Sequence, residues 1–183
     1  GLDRMDPRTG RFIHFRRQAG QAGSLAHNRI WSLLRDGQDR LWVGTYGGGL
    51  DLYQPRTQTF RHFRHKPENP RSLSDDNVIT IFQDSRKRLW VGTNKGLNLW
   101  DSQTGDFTVF QNRPDDSTSL SHSRVYAIME DSDGEIWIGT KGGLNHFIKK
   151  DSSFVSYTSF THNFPNNVIM GITEDPQGYL WVS

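Results

Sequence analysis

The stretch RLWVGT, Arg40 to Thr45, is written four times in this chain. It returns as RLWVGT at Arg88 to Thr93, as EIWIGT at Glu135 to Thr140, and as YLWVS at Tyr179 to Ser183. Its tryptophans, Trp42, Trp90, Trp137 and Trp181, are spaced by 48, 47 and 44 residues. Three more rows keep the same step. They are Gly1-Leu2, Gly49-Leu50, Gly96-Leu97 and Gly143-Leu144; Phe12, Phe60, Phe107 and Phe154; and Asp36, Asp84, Asp131 and Asp175, each six residues before its tryptophan. Independent features that share a period in the forties define a repeat architecture, in which one unit cannot bury its own apolar faces.

Each unit reads as four short strands. RIWSLLRD, NVITIFQD, RVYAIMED and VIMGITED are apolar at nearly every position, as a strand buried on both faces is. Their third core position is small (Ser32, Thr80, Ala127, Gly171), which points to a crowded innermost strand, a. A polar turn opened by Asp follows, where the carboxylate bonds the backbone two residues on. The LWVGT phrase is strand b. The glycines of YGGG, NKG and KGG then supply a tight reversal. LDLY, LNLW and LNHF form strand c. FIHF, FRHF, FTVF and FVSY alternate as a half-exposed outer strand d. Four antiparallel strands per unit make an all-β fold, a β-propeller blade. The four tryptophans are the expected inter-blade wedges. Whole blades fall at about 29–64, 77–111 and 124–160, with strands c and d alone at 1–18 and strands a and b alone at 168–183. The expectation is a single partial propeller drawn from a larger one. Closure of the two ends into one shared blade is the alternative.

Bulk properties narrow the function classes. The 183 residues carry 22 Lys+Arg against 20 Asp+Glu, a net charge of +2, and the basic residues are scattered. That balance argues against a nucleic-acid partner. There is no cysteine, so disulfides and thiolate metal sites are excluded. No apolar run approaches the roughly 20 residues of a membrane helix, so membrane attachment would run through segments not present here. No secretory leader is visible, and the chain begins and stops inside repeat units.

Two stretches, SLSDDNVITIFQDSRKRLWVGTNKGLNLWD at Ser72 to Asp101 and SLSHSRVYAIMEDSDGEIWIGTKGGLNHF at Ser119 to Phe147, resemble the two-component regulator propeller repeat. The last unit departs from the pattern, with Ser183 in place of the Gly after LWV. The resemblance implies large, commonly seven-bladed propellers. These are the periplasmic or extracellular sensor halves of bacterial membrane proteins that pass a signal to a histidine kinase or diguanylate cyclase. Some members sense oligosaccharides, and a homodimer of the full-length sensor is compatible with that role.

A ligand is expected on the face that carries the d–a and b–c loops. Two polar rows line it: His27, Asp75, His122 and Asn166, and then Arg29, Asn77 and Arg124, with Val168 breaking the second. Tyr46, Lys95 and Lys141 would rim the site. Donors and acceptors around a shallow mouth suit a small polar ligand such as a glycan, and the arginines suit its carboxylates or sulfates. The bland alternative is that these residues satisfy the backbone of their own blade, and Leu25, Leu73 and Leu120 of the neighbouring triplets read as structural plugs. A metal ring from His27, Asp75, His122 and Asn166 would need a narrow channel. DSDGE at Asp131 lacks the remaining ligands of a calcium loop. No cofactor or metal is called for, and no catalytic residue stands out. The competing classes are a propeller lyase of the streptogramin-lyase type, with His122 as general base, and a protein-interaction scaffold.

Overall fold

The computed structural model describes residues 1–162 and 166–183. Three four-stranded antiparallel sheets follow one another along the chain. The first holds β3 (Ile30–Arg35), β4 (Leu41–Thr45), β5 (Leu50–Gln54) and β6 (Thr59–Phe63). The second holds β7 (Val78–Gln83), β8 (Leu89–Thr93), β9 (Gly96–Trp100) and β10 (Phe107–Phe110). The third holds β11 (Val125–Glu130), β12 (Ile136–Thr140), β13 (Gly143–Ile148) and β14 (Ser153–Tyr157). In each sheet the spatial order is the chain order, as in a propeller blade. Two separate two-stranded sheets flank them: β1 (Leu2–Met5) with β2 (Phe12–Phe15), and β15 (Ile172–Glu174) with β16 (Leu180–Val182). The first pair occupies the c and d positions of the repeat and the second the a and b positions. A one-turn helix, α1 (Ser159–His162), follows β14, where the Thr158 hydroxyl accepts from the Thr161 N–H. No helix is read from the sequence there, because one capped turn has no period.

The apolar cores lie between blades. One layer joins Trp42, Leu50 and Phe63 of the first blade to Leu73, Val78, Ile81, Leu89, Val91 and Phe107 of the second. The next joins Trp90 and Leu97 to Leu120, Val125, Ile128, Ile136, Ile138, Phe147 and Phe154. The indoles are the wedges: Trp42 meets Trp100 edge-on at 4.9 Å between ring centroids, and Trp90 meets Phe147 at 5.1 Å. The Gly of the repeated phrase sits where the next blade presses closest. A Cβ on Gly44 would lie 2.7 Å from Val78 Cγ1, and one on Gly92 would lie 2.7 Å from Val125 Cγ1. The small residues of strand a share that crowding, since Ser32 pairs with Gly44 and Thr80 with Gly92. The pressure comes from the adjoining blade, where the sequence pattern alone pointed to the axis.

The Asp row has a second role that turn chemistry does not reveal. Besides accepting backbone N–H groups, the carboxylates of Asp36, Asp84, Asp131 and Asp175 accept the indole N–H of Trp42, Trp90, Trp137 and Trp181 at 2.7–2.9 Å. The fixed spacing of six residues is the reach of that bond. Arg40 and Arg88 add ion pairs at 2.6 Å to Asp36 and Asp84. On the same end, the turns after Asp36, Asp84 and Asp131 clasp the next blade. The Ser85 N–H and hydroxyl donate to the two Glu130 carboxylate oxygens at 2.6 and 2.7 Å. Ser132 binds Glu174 in the same way, and Gly37 N–H donates to Gln83 Oε1.

Two expectations are corrected. Strand a is not buried on both faces in the first blade, where Trp31 is 46% and Leu33 53% exposed. The equivalents of Leu33, Ile81 and Ile128, bury against the a and b strands of the preceding blade. The β1–β2 pair offers Leu33 no such strands. For the matching reason at the other end, Trp181 is 63% exposed, because β16 has no blade packed beyond it. Trp42 and Trp90 are fully buried, and Trp137, which stacks on His146 of its own blade, is half-buried.

Candidate functional site

The d–a loops and b–c turns share one end of the blades, and the two polar rows stand there. The first row caps backbone. The N–H of Arg29 donates to His27 Nδ1 at 3.0 Å, and that of Asn77 to Asp75 Oδ1 at 2.9 Å. The N–H of Arg124 donates to His122 Nδ1 at 2.9 Å, and that of Val168 to Asn166 Oδ1 at 3.0 Å. The four side chains are interchangeable because each offers one acceptor two residues upstream of the N–H it receives. In both histidines the acceptor role leaves the neutral ring's proton on Nε2. Burial, then the neighbouring cations, push the pKa of both below the ordinary value: Arg17 and Arg29 act on His27, Lys141 and Arg124 on His122. Among the described residues no three His, Asp or Glu gather as metal ligands.

The second row is built differently. Each of its residues uses its backbone carbonyl to receive the b–c turn: Arg29 O from Tyr46 N–H, Asn77 O from Asn94 N–H, and Arg124 O from Lys141 N–H. This leaves the side chains for other work. The Arg29 guanidinium lies 5.8 Å from the Tyr46 ring, and Trp31 stacks obliquely on that ring at 4.5 Å. The Arg124 guanidinium lies 5.2 Å from the Tyr126 ring, and its Nε is buried with no acceptor among the described residues. Asn77 turns its amide onto Asp75 at 2.7 Å. Lys95 approaches Asp75 at 3.6 Å, so the charge at that point of the rim is balanced.

The structure adds three residues to this rim and moves one. The register shift between Ile30 and Ser32, repeated between Val78 and Thr80 and between Val125 and Ala127, makes Trp31, Ile79 and Tyr126 the bulged residues of strand a. A bulge re-aims a side chain, and here it places Trp31 and Tyr126 beside the arginines. Asn94, and not Lys95, is the equivalent of Tyr46 and Lys141, and its Oδ1 is buried without a donor among the described residues. Counting one residue past each G-T pair finds Asn94. Nothing in a run of apolar residues announces the bulge.

Comparison with known proteins places this geometry. The model of the two-component regulator propeller matches residues 24–47, 72–95, 119–142 and 163–183, just over half of the chain. The chain belongs to the two-component regulator propeller family. No curated protein sequence matches it. Solved structures do. The extracellular domain of a hybrid two-component system from B. thetaiotaomicron is 28% identical with a TM-score of 0.77, over 94% of this chain and 24% of that one. This chain therefore spans about a quarter of that domain. Virginiamycin B lyase from Staphylococcus aureus shares 14% identity with a TM-score of 0.65, over 99% and 55% of the two chains, a likeness of fold alone. The chain is thus a propeller segment of the kind found in sensor ectodomains. Among the described residues no helix is long and apolar enough to cross a membrane.

Proposed function

We propose that this propeller segment is a non-enzymatic ligand-sensing module that recognises a polar ligand, with an oligosaccharide the best fit, on its loop face. In this reading it works on the periplasmic or extracellular side of a bacterial inner-membrane protein and passes its signal to a kinase or cyclase output. The observation that carries the binding reading is the placement of Arg29 beside Tyr46 and Trp31, and of Arg124 beside Tyr126, on the loop face. The aromatic faces of Trp31, Tyr46 and Tyr126 beside the guanidiniums suit a sugar ring bearing an acidic group.

The lyase reading asks His122 to take a proton. Its Nδ1 lone pair is already engaged by the Arg124 N–H, and in the neutral ring Nε2 carries the proton. That disfavours a general base at this position. Glycan-array screening, followed by calorimetry on the best binder, tests the proposal. Arg124→Ala is expected to weaken binding at least about tenfold through a lost charge-assisted bond while the melting temperature holds. An unchanged affinity would remove Arg124 and its neighbours from the site.

A further inference from the structure

A cleft of about 420 Å³ lies between the first d–a loop, Arg17 to Ala26, and the end of β6 with Arg64; none of the residues of the two polar rows lines it. Its walls include Arg17, Gln18, Gln21, His62 and Arg64, together with the small residues of the loop QAGQAG, Gln18 to Gly23. The repeat places an equivalent cleft beside the next blade, so the two can be compared position by position.

The position of Arg17 is held by His65 and Asn112 in the following units. Both do the same structural work there. His65 Nδ1 binds the Leu73 carbonyl at 2.8 Å, and Asn112 Nδ2 donates to the Leu120 carbonyl at 2.7 Å. Arg17 abandons that duty, and its guanidinium bonds to no described group. The position of Arg64 is held by Gln111 and Thr158. Gln111 donates to the Lys95 carbonyl at 2.7 Å, and the Thr158 hydroxyl pairs with Thr161 at 3.1 Å. The Arg64 guanidinium likewise bonds to no described group. Arg16, its equivalent one unit earlier, is tied to Asp3 at 2.7 Å. The position of His62 is held by Val109 and Ser156 in the following units, and one unit earlier by His14, which pairs with Asp3 at 2.8 Å.

His62 is fixed in place. Its Nε2–H donates to the Ala22 carbonyl at 2.7 Å, and a second proton is shared between Nδ1 and Asp51 Oδ1 at 2.6 Å. The Asp51 carboxylate beneath the ring is therefore already paired, with the Ala26 N–H and with His62. The loop has room for a guest and donors to offer. Its amides at Ala19, Gly20 and Ala22 donate to no described group, and Gly20 takes φ +80° with nothing near its Cα face. Where the sister loops carry Glu68, Asp115 and Asp116, this one has no acid.

We infer that this first cleft is a second binding site, lined by none of the residues of the two polar rows, for the compact oxyanion group of a small ligand, a carboxylate or a sulfate, gripped by Arg17 and Arg64. Two guanidiniums released from the structural roles of their equivalents, over a carboxylate already paired, are the arrangement such a group requires.

The test is a titration of the protein with sodium D-glucuronate and with sodium sulfate at constant ionic strength, using sodium chloride and D-glucose as references. Amide nitrogen–proton NMR shifts and calorimetry give the readout. Saturable shifts centred on Ala19, Gly20 and Ala22 are expected with the two oxyanions and not with chloride or glucose. Tighter binding of glucuronate assigns a sugar acid, and equal binding assigns a bare oxyanion. Arg17→Ala and Arg64→Ala, both at exposed positions, should each weaken binding read at Ala19, Gly20 and Ala22 about tenfold or more, and Arg124→Ala should leave the shifts at those three amides unchanged. No saturable shift, equal shifts with chloride, or affinity lost in Arg124→Ala but kept in the Arg17→Ala/Arg64→Ala double variant would each overturn the inference.

Discussion

The cross-strand pair Asp51–His62 offers a sharp test of how these blades are held. Asp51 is fully buried, and burial raises its carboxyl pKa against the hydrogen bonds from Ala26 N–H and His62. The same two positions hold Asn98 and Val109 in the second blade, where Asn98 accepts from Ser74 N–H and donates to the Val91 and Gly96 carbonyls. His62→Val therefore strands a buried acid with one partner. Breaking a buried pair costs about 3–5 kcal/mol. Because the His62 side chain keeps 23% exposure, the low end applies, about 3 kcal/mol. Asp51→Asn alone keeps the Ala26 bond and gains the amide contacts seen at Asn98, for a cost of about 1 kcal/mol. The double variant rebuilds the Asn98–Val109 arrangement and should stay within about 1 kcal/mol of the parent. Urea melts of all four proteins give the cycle, and the His62→Val step should lower the melting temperature by about 6–12 °C. A double variant as unstable as His62→Val, or a His62→Val cost below about 1 kcal/mol, would refute the reasoning.

Trp90→Ala removes a fully buried indole that fills the layer between two blades and donates to Asp84, and it should cost about 3–5 kcal/mol in a chemical melt. Glu130→Ala opens the clasp on Ser85 and should cost about 1 kcal/mol; hydrogen exchange at the Ser85 amide should accelerate, and unchanged protection there would count against the clasp. His27 and His122 have folded pKa values below the unfolded 6.5, so the native state resists the proton that the unfolded chain takes up. Their contribution is complete above pH 6.5 and is lost as pH falls below it. His122→Asn, which keeps the cap as Asn166 does, should flatten the fall in melting temperature between pH 7 and 5, and an identical slope would rule out this origin.

The blades were readable because the interface repeats. Every unit must present the same wedge, glycine and Asp to its neighbour, so Trp, Gly and Asp recur in step and give away strands, order and packing face at once. What stayed hidden has a local cause. The bulge at Trp31, Ile79 and Tyr126 leaves no mark in composition, and the Asp-to-indole bond shows only as an unexplained spacing of six. The exposure of Leu33 and Trp181 depends on which strands lie next to them, a property of neighbours that no residue encodes alone. At the loop face the rows were visible, yet their duties were not. The first row is kept polar by its own backbone, which a sequence cannot separate from a demand made by a ligand.

That distinction yields a rule for where recognition can evolve in such a fold. At the capping position, His27, Asp75, His122 and Asn166 differ in chemistry and share one acceptor, so their variation carries no information about ligands. At the position of Arg17, the sister residues His65 and Asn112 also differ in chemistry and share one bond, to a leucine carbonyl, and there Arg17 breaks the set. A residue that varies while its structural bond persists is neutral substitution. A residue that varies by giving up that bond has left a carbonyl to be satisfied in another way, a cost of about 1–3 kcal/mol, and such a departure is stable only where the freed group is used. By this criterion Arg17 carries more functional weight than the histidines that first draw the eye.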